Sequence, residues 1–113
     1  MGKYLISFPA RALVATGAEL EAISVESRAM VAEAKAAGVW VFGGGLNASV
    51  TPVTVEGDGS TTGAPYPEFA LLDGGFTVLE VPTRAEAELW AARFATACHA
   101  PQELREFHYD PES

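Results

Sequence analysis

Hydrophobic and polar positions alternate in two distinct periods along this chain. Residues 3–8, Lys-Tyr-Leu-Ile-Ser-Phe, form a short apolar run closed by Pro9, which reads as a strand. A polar-poor loop runs from there to about Gly17. Residues 19–37 hold neither Pro nor Gly, and Leu20, Ile23, Ser27, Met30, Val31 and Ala34 recur at helical spacing. Glu19, Glu21, Glu26 and Glu33 decorate the rest of that helix, and Gly38 is its expected stop. Residues 39–42, Val-Trp-Val-Phe, sit between Gly38 and the Gly43-Gly44-Gly45 run and read as a strand buried on both faces. On a period of two, Trp40 and Phe42 share one face of it, as core or as pocket lining.

The second half has the same character. Residues 50–56 alternate weakly as a strand, Gly57-Asp58-Gly59 signals a hairpin turn, and residues 60–62 return. Residues 63–75 carry Pro65, Pro67, Gly74 and Gly75 and read as a long irregular loop, a type that is often functional. Residues 76–81 form a strand ended by Pro82. Thr83 with Glu86 makes a capping box that opens a second helix, whose buried stripe is Ala87, Trp90, Ala91, Phe94 and Cys98. Residues 102–109 form the last strand.

The order strand, helix, strand, hairpin, strand, helix, strand predicts one α+β domain over residues 1–113. Its expected architecture is a ferredoxin-like split βαβ with an extra β-hairpin. Two helices cover only one face of such a sheet, yet two of its strands are apolar on both faces. The second face therefore predicts a homodimer joined sheet to sheet.

Composition narrows the function. Fifteen acidic against seven basic residues give a net charge of −8. That surface repels phosphate backbones and anionic bilayers, so neither nucleic acid nor membrane is an expected partner. A single cysteine, Cys98, excludes an internal disulfide and any paired-cysteine zinc or redox site. The apolar stretch at the start is too short for a signal or membrane segment, so the chain reads as soluble and cytoplasmic. Gly43-Gly44-Gly45 follows a strand but opens no helix and has no Lys-Ser/Thr after it. It reads as a bulge or sharp bend at a sheet rim, and phosphate-loop and dinucleotide signals are missing. No cofactor and no metal site are expected.

Several pieces in order resemble the YCII-related family in its DGPF-domain branch. They are Lys3-Tyr4-Leu5-Ile6, Ala36-Ala37-Gly38-Val39 followed by Gly44-Gly45-Leu46, and Val53-Thr54-Val55 with the glycine hairpin. Gly74-Gly75-Phe76 with its hydrophobic strand, Glu86-Ala87-Glu88-Leu89-Trp90-Ala91-Ala92 and Glu103-Leu104-Arg105 continue the set. Where the family has Asp-Gly-Pro-Phe, this chain reads Thr62-Gly63-Ala64-Pro65-Tyr66, while Glu68 matches the glutamate that follows. The family's histidine–aspartate pair has no counterpart. The resemblance implies a dimeric α+β barrel without metal or organic cofactor. Because members of this branch accompany extracytoplasmic-function sigma factors, it also implies a regulatory alternative to catalysis. Monooxygenases of the antibiotic-biosynthesis type share the dimeric barrel by fold analogy alone.

Candidate chemistry concentrates on two segments. In the last strand Glu103, Arg105 and Phe107 alternate on one face and Leu104 on the other. With Leu104 toward the helices, Glu103 and Arg105 face the dimer cavity, either as a structural ion pair tying strand to loop or as a ligand anchor. Arginine suits a carboxylate or phosphate through its two-pronged donor geometry. In the long loop Glu68 is either a solvated carboxylate or a general base over an apolar cavity. Tyr66 lies beside it as a loop anchor or binding residue. The reading is a small-molecule-binding homodimer. Glu68 is its candidate base, Arg105 held by Glu103 anchors a small anionic or carbonyl-bearing ligand, and Tyr66, Trp40 and Phe42 line the site. Cofactor-free lyase or proton-transfer chemistry is the matching reaction class, and the alternative is a non-catalytic partner in sigma-factor-linked regulation. His99, just past the second helix, is expected to cap its negative end.

Overall fold

Strand β1 (Gly2–Phe8) leads through a 3-10 turn (Ala10–Ala12) into helix α1 (Ala18–Ala36) and strand β2 (Trp40–Gly45). Two short strands, β3 (Thr54–Val55) and β4 (Thr61–Thr62), form a hairpin, and a second 3-10 turn (Pro67–Phe69) precedes β5 (Gly75–Val81). Helix α2 (Arg84–Cys98) and β6 (Glu103–Glu106) complete the chain. The computed structural model describes residues 1–63 and 66–113, so Ala64 and Pro65 of the Thr62–Tyr66 segment lie outside the described residues.

The fold is α+β, as the order of elements predicts. One antiparallel sheet runs in the order β2-β5-β1-β6, and β3 with β4 makes a separate two-stranded sheet. The four-stranded sheet is open and is not a closed barrel. The expected strand at residues 50–56 shrinks to Thr54–Val55. Pro52 has no N–H for a ladder, which leaves little of that segment able to pair. The turn itself forms as expected: Glu56 N–H donates to the Ser60 carbonyl at 2.8 Å, Asp58 Oδ1 accepts from Ser60 N–H, and Gly59 takes φ +90°.

Register decides which side chains meet the helices. Tyr4 and Trp40 both lie opposite Leu79, and Ile6 lies opposite Thr77 and Leu104. Ile6 and Leu79 pack with Ala34, Ala91 and Phe94, while Tyr4, Val81 and Ala87 form an adjoining cluster. Ala34 on α1 and Ala87, Ala91 and Ala97 on α2 are buried, so these alanines let the helices pack closely on the sheet and on each other. Trp40 stacks on Phe94 with centroids 6.4 Å apart. The two helices are further joined by the Arg93–Glu33 ion pair, with Arg93 over the Trp90 ring at 4.4 Å. Cys98 is half-buried, and burial pushes its thiol pKa up.

A bulge between Trp40 and Phe42 changes the reading of β2. Trp40 pairs with Leu79 but Phe42 pairs with Val78, so Val41 is the extra residue. Trp40 and Phe42 therefore occupy opposite faces. The glycines expected to make the bulge are regular strand instead, with Gly43, Gly44 and Gly45 opposite Thr77, Phe76 and Gly75.

The helix ends follow their sequence signals. Thr83 Oγ1 accepts from Glu86 N–H at 3.2 Å and starts α2. Gly38, at φ +77°, closes α1, with its N–H on the Lys35 carbonyl and that of Val39 on the Ala34 carbonyl. His99 takes the matching left-handed position after α2 at φ 55°. Its ring does more than cap. Nδ1 lies 3.3 Å from Glu19 Oε1 and Nε2 lies 2.9 Å from Glu26 Oε2, both on α1. These hydrogen bonds raise the His99 pKa above its ordinary value. The protonated ring then contributes stability in full below about pH 6.5, and that contribution is lost as pH rises through the raised folded-state value. Against a His99→Asn control, which tolerates the left-handed backbone, the parent should gain melting temperature at pH 6 relative to pH 9. Parallel melting curves across that range would refute the bridge.

The helix-free face of the sheet presents Leu5, Ser7, Phe76, Val78 and Phe42, with Lys3 opposite Glu80. Residues 107–113 lie along one margin of it, beside Lys3, Val78 and Glu80. Phe42, Phe69, Leu71 and Phe107 are exposed. No helix among the described residues is long and apolar enough to cross a membrane.

Candidate functional site

The helix-free face carries a groove of about 420 Å³ beside the ends of β1 and β6. Leu5 and Ser7 of β1 line it, and Ser7 is buried. Strand alternation places Glu103 opposite Ser7 and Arg105 opposite Leu5, so both β6 side chains reach the groove. Leu104 turns the other way and packs on the core. This is the phase that alternation in the last strand predicts.

The opposite wall comes from the loop before β5. The 3-10 turn over Pro67–Phe69 is closed by Phe69 N–H on the Tyr66 carbonyl at 3.0 Å, and it presents Glu68 and Phe69 to the groove. Two features hold the loop against the sheet. Asp73 Oδ1 accepts from Ala10 N–H at 2.9 Å. Gly74 lies so near the chain leaving β1 that a Cβ there would stand 2.0 Å from the Phe8 carbonyl oxygen, so only glycine fits. The long loop is thus seated on the sheet end, and Glu68, Glu103 and Arg105 border one space.

Arg105 Nη2 donates to Glu103 Oε2 at 3.1 Å, and both side chains are more than half exposed. The pair lies within β6 and does not tie strand to loop. A solvated pair of this kind contributes under about 1 kcal/mol to stability. It uses one of the guanidinium donors and leaves the others available beside the groove.

Two polar groove residues escape a reading of the sequence, Arg11 and Ser7. Arg11 sits on the 3-10 turn after Pro9, and among the described residues its side chain has no ion-pair partner. It is the one basic residue between Lys3 and Arg28, in a polar-poor loop, and that isolation is the signal available in the sequence. Two arginines therefore border one groove in a chain of net charge −8.

The remaining expected site residues lie elsewhere. Tyr66 is exposed and meets the Phe69 ring edge-on at 6.1 Å, so it braces the loop and does not border the groove. Trp40 and Phe42 border a different cavity, since β2 is the far edge of the sheet from β6. Among the described residues no group of three or more His, Cys, Asp or Glu side chains is placed to hold a metal. His99 with Glu19 and Glu26 is no exception, because its two nitrogens face different carboxylates and share no common point.

Compared with protein-family models and with curated proteins, the chain matches none of either.

Proposed function

We propose that the protein is a homodimer, joined through the helix-free sheet face, that binds a small anionic molecule in the Arg11–Arg105 groove. The observation that carries this reading is the convergence of two arginines and two glutamates, from three separate segments, on one groove beside an apolar face. Carboxylate or phosphate suits the forked guanidinium donors, and a carbonyl neighbouring the anion suits Glu68 as the proton acceptor.

The dimer draws support from area. The chain exposes 7671 Å². That is roughly 1,700 Å² more than a compact monomer of its mass, and a standard interface buries about 800 Å² per partner. Its radius of gyration of 15.6 Å also exceeds the roughly 13 Å of a compact chain this long. The strand order β2-β5-β1-β6, antiparallel throughout, supports a ferredoxin-like split βαβ and the resemblance to YCII-related dimers.

Arg105→Ala tests the site. It should weaken a bound carboxylate by about 1.5–3 kcal/mol. Fold stability should change by less than about 1 kcal/mol, because the ion pair it removes is solvated. Titration calorimetry with a panel of mono- and dicarboxylates and inorganic phosphate, beside thermal melting, reads both. A large melting loss with no change in binding would make Arg105 structural. Glu68→Gln should keep binding while abolishing proton exchange at a ligand carbon next to a carbonyl, followed by NMR in deuterated water. Unchanged exchange would remove Glu68 from the chemistry.

A further inference from the structure

Four glycines meet where β2 pairs with β5: Gly43, Gly44 and Gly45 on one strand and Gly75 on the other. Glycine weakens a strand and offers no side chain to pack, so such a concentration calls for a steric reason. Two of the four have one. A Cβ on Gly43 would stand 2.5 Å from the Trp40 ring, and one on Gly75 would stand 2.7 Å from the Phe8 ring. Gly44 and Gly45 have none. A Cβ at either would meet nothing within 4 Å, and neither has a positive φ. Gly45, in phase with the helix face, leaves space there, Gly44 leaves it on the other side of the same edge, and both border a cavity of about 480 Å³ at the edge of the sheet beside the helices.

The cavity is walled by Phe8, Trp40, Phe94 and Val31, with Lys35 one helical turn after Val31. The Lys35 ammonium lies 6.0 Å from the Trp40 ring centre, and among the described residues it has no carboxylate partner. Apolar ring surface open to water is stabilised when another ring covers it, and a lone cation beside it favours an anion. None of Arg11, Glu68, Glu103 and Arg105 borders this space.

We propose that this cavity is a second binding site, for a flat hydrophobic ring system carrying one carboxylate, with the ring between Trp40 and the glycine edge and the carboxylate on Lys35. The volume falls in the range of small-molecule pockets. Cys98 borders the same space and supplies a reporter, being the only cysteine of the chain.

The experiment titrates 2-naphthoate into the full chain. It follows tryptophan fluorescence and the rate at which iodoacetamide alkylates Cys98. The expected result is one saturable site per chain, in addition to any carboxylate held at Arg105, whose occupancy slows alkylation of Cys98 roughly fivefold or more near saturation. Lys35→Gln should weaken binding about tenfold, the scale of one charge-assisted hydrogen bond. Gly45→Leu should fill the cavity and abolish both binding there and the protection of Cys98, whereas Arg11→Ala, outside this space, should leave the protection of Cys98 in place. Should Gly45→Leu fail to fold, Lys35→Gln and the alkylation rate decide between them. Absence of saturation, binding without protection of Cys98, or protection of Cys98 that persists unchanged in Lys35→Gln would each overturn the proposal.

Discussion

Leu79→Ala is expected to lower the free energy of unfolding by about 2–5 kcal/mol, a large part of the roughly 5–15 kcal/mol available to a domain. Leu79 has no exposed surface, lies on a central strand, and faces both Tyr4 and Trp40 across the sheet. Its side chain touches the cluster of Ile6, Ala34, Ala91 and Phe94. Truncation leaves a cavity that the sheet cannot close, because β1 and β5 are hydrogen-bonded on both sides. The alanines opposite are already minimal and have no side chain with which to fill the gap. Urea denaturation should show a lower midpoint with an unchanged slope. A midpoint shift equal to that of Val41→Ala, at the exposed bulge residue, would mean that the core lies elsewhere.

Phe42→Asp is expected to convert the proposed dimer to monomer while leaving the fold intact. Phe42 is 66% exposed in the single chain and looks out from the helix-free face. In a sheet-to-sheet dimer it would be covered, and a carboxylate in its place would be buried without a partner. The loss of an aromatic anchor and the cost of that charge together should raise the dimer dissociation constant at least roughly 30-fold, the scale of an interface hot spot. Light scattering should move from about twice 11.9 kDa to that single-chain mass, with far-ultraviolet circular dichroism preserved. Trp40→Asp, only two residues away, should instead unfold the protein, since Trp40 stacks on Phe94 under the helices. A parent chain that is monomeric at micromolar concentration would end the dimer reading. Monomer formation by Trp40→Asp with an intact fold would reverse the assignment of faces.

These two substitutions show how far the sequence is legible. Period and capping signals locate every principal element: the Thr83 cap, the Gly38 stop and the Gly57-Asp58-Gly59 turn all sit where local chemistry places them. Alternation in the last strand correctly sends Leu104 inward and Glu103 and Arg105 outward. The same rule fails in β2, because a bulge adds a residue that alternation cannot anticipate. Four apolar side chains in a row give no hint of which one is extra, and the glycines that follow draw attention to the wrong place. The hairpin is legible as a turn, whereas the lengths of its strands depend on partners that Pro52 limits.

Local chemistry along the chain thus carries the class of fold, the order of its elements, the ends of its helices and the pairing of Glu103 with Arg105 on one face. Each depends on residues a few positions apart, whose steric and hydrogen-bonding preferences act before the chain is compact. The groove is different in kind. Arg11, Glu68 and Arg105 lie far apart in sequence, and their meeting depends on Gly74 packing onto the Phe8 carbonyl and on Asp73 taking the Ala10 N–H. The opposite faces of Trp40 and Phe42 likewise depend on the register of β2 against β5. His99 reads as a cap from its position, but Glu19 and Glu26 reach it only when α1 packs beside α2. Such contacts are set by the balance of packing over the whole core, which no short window of sequence contains.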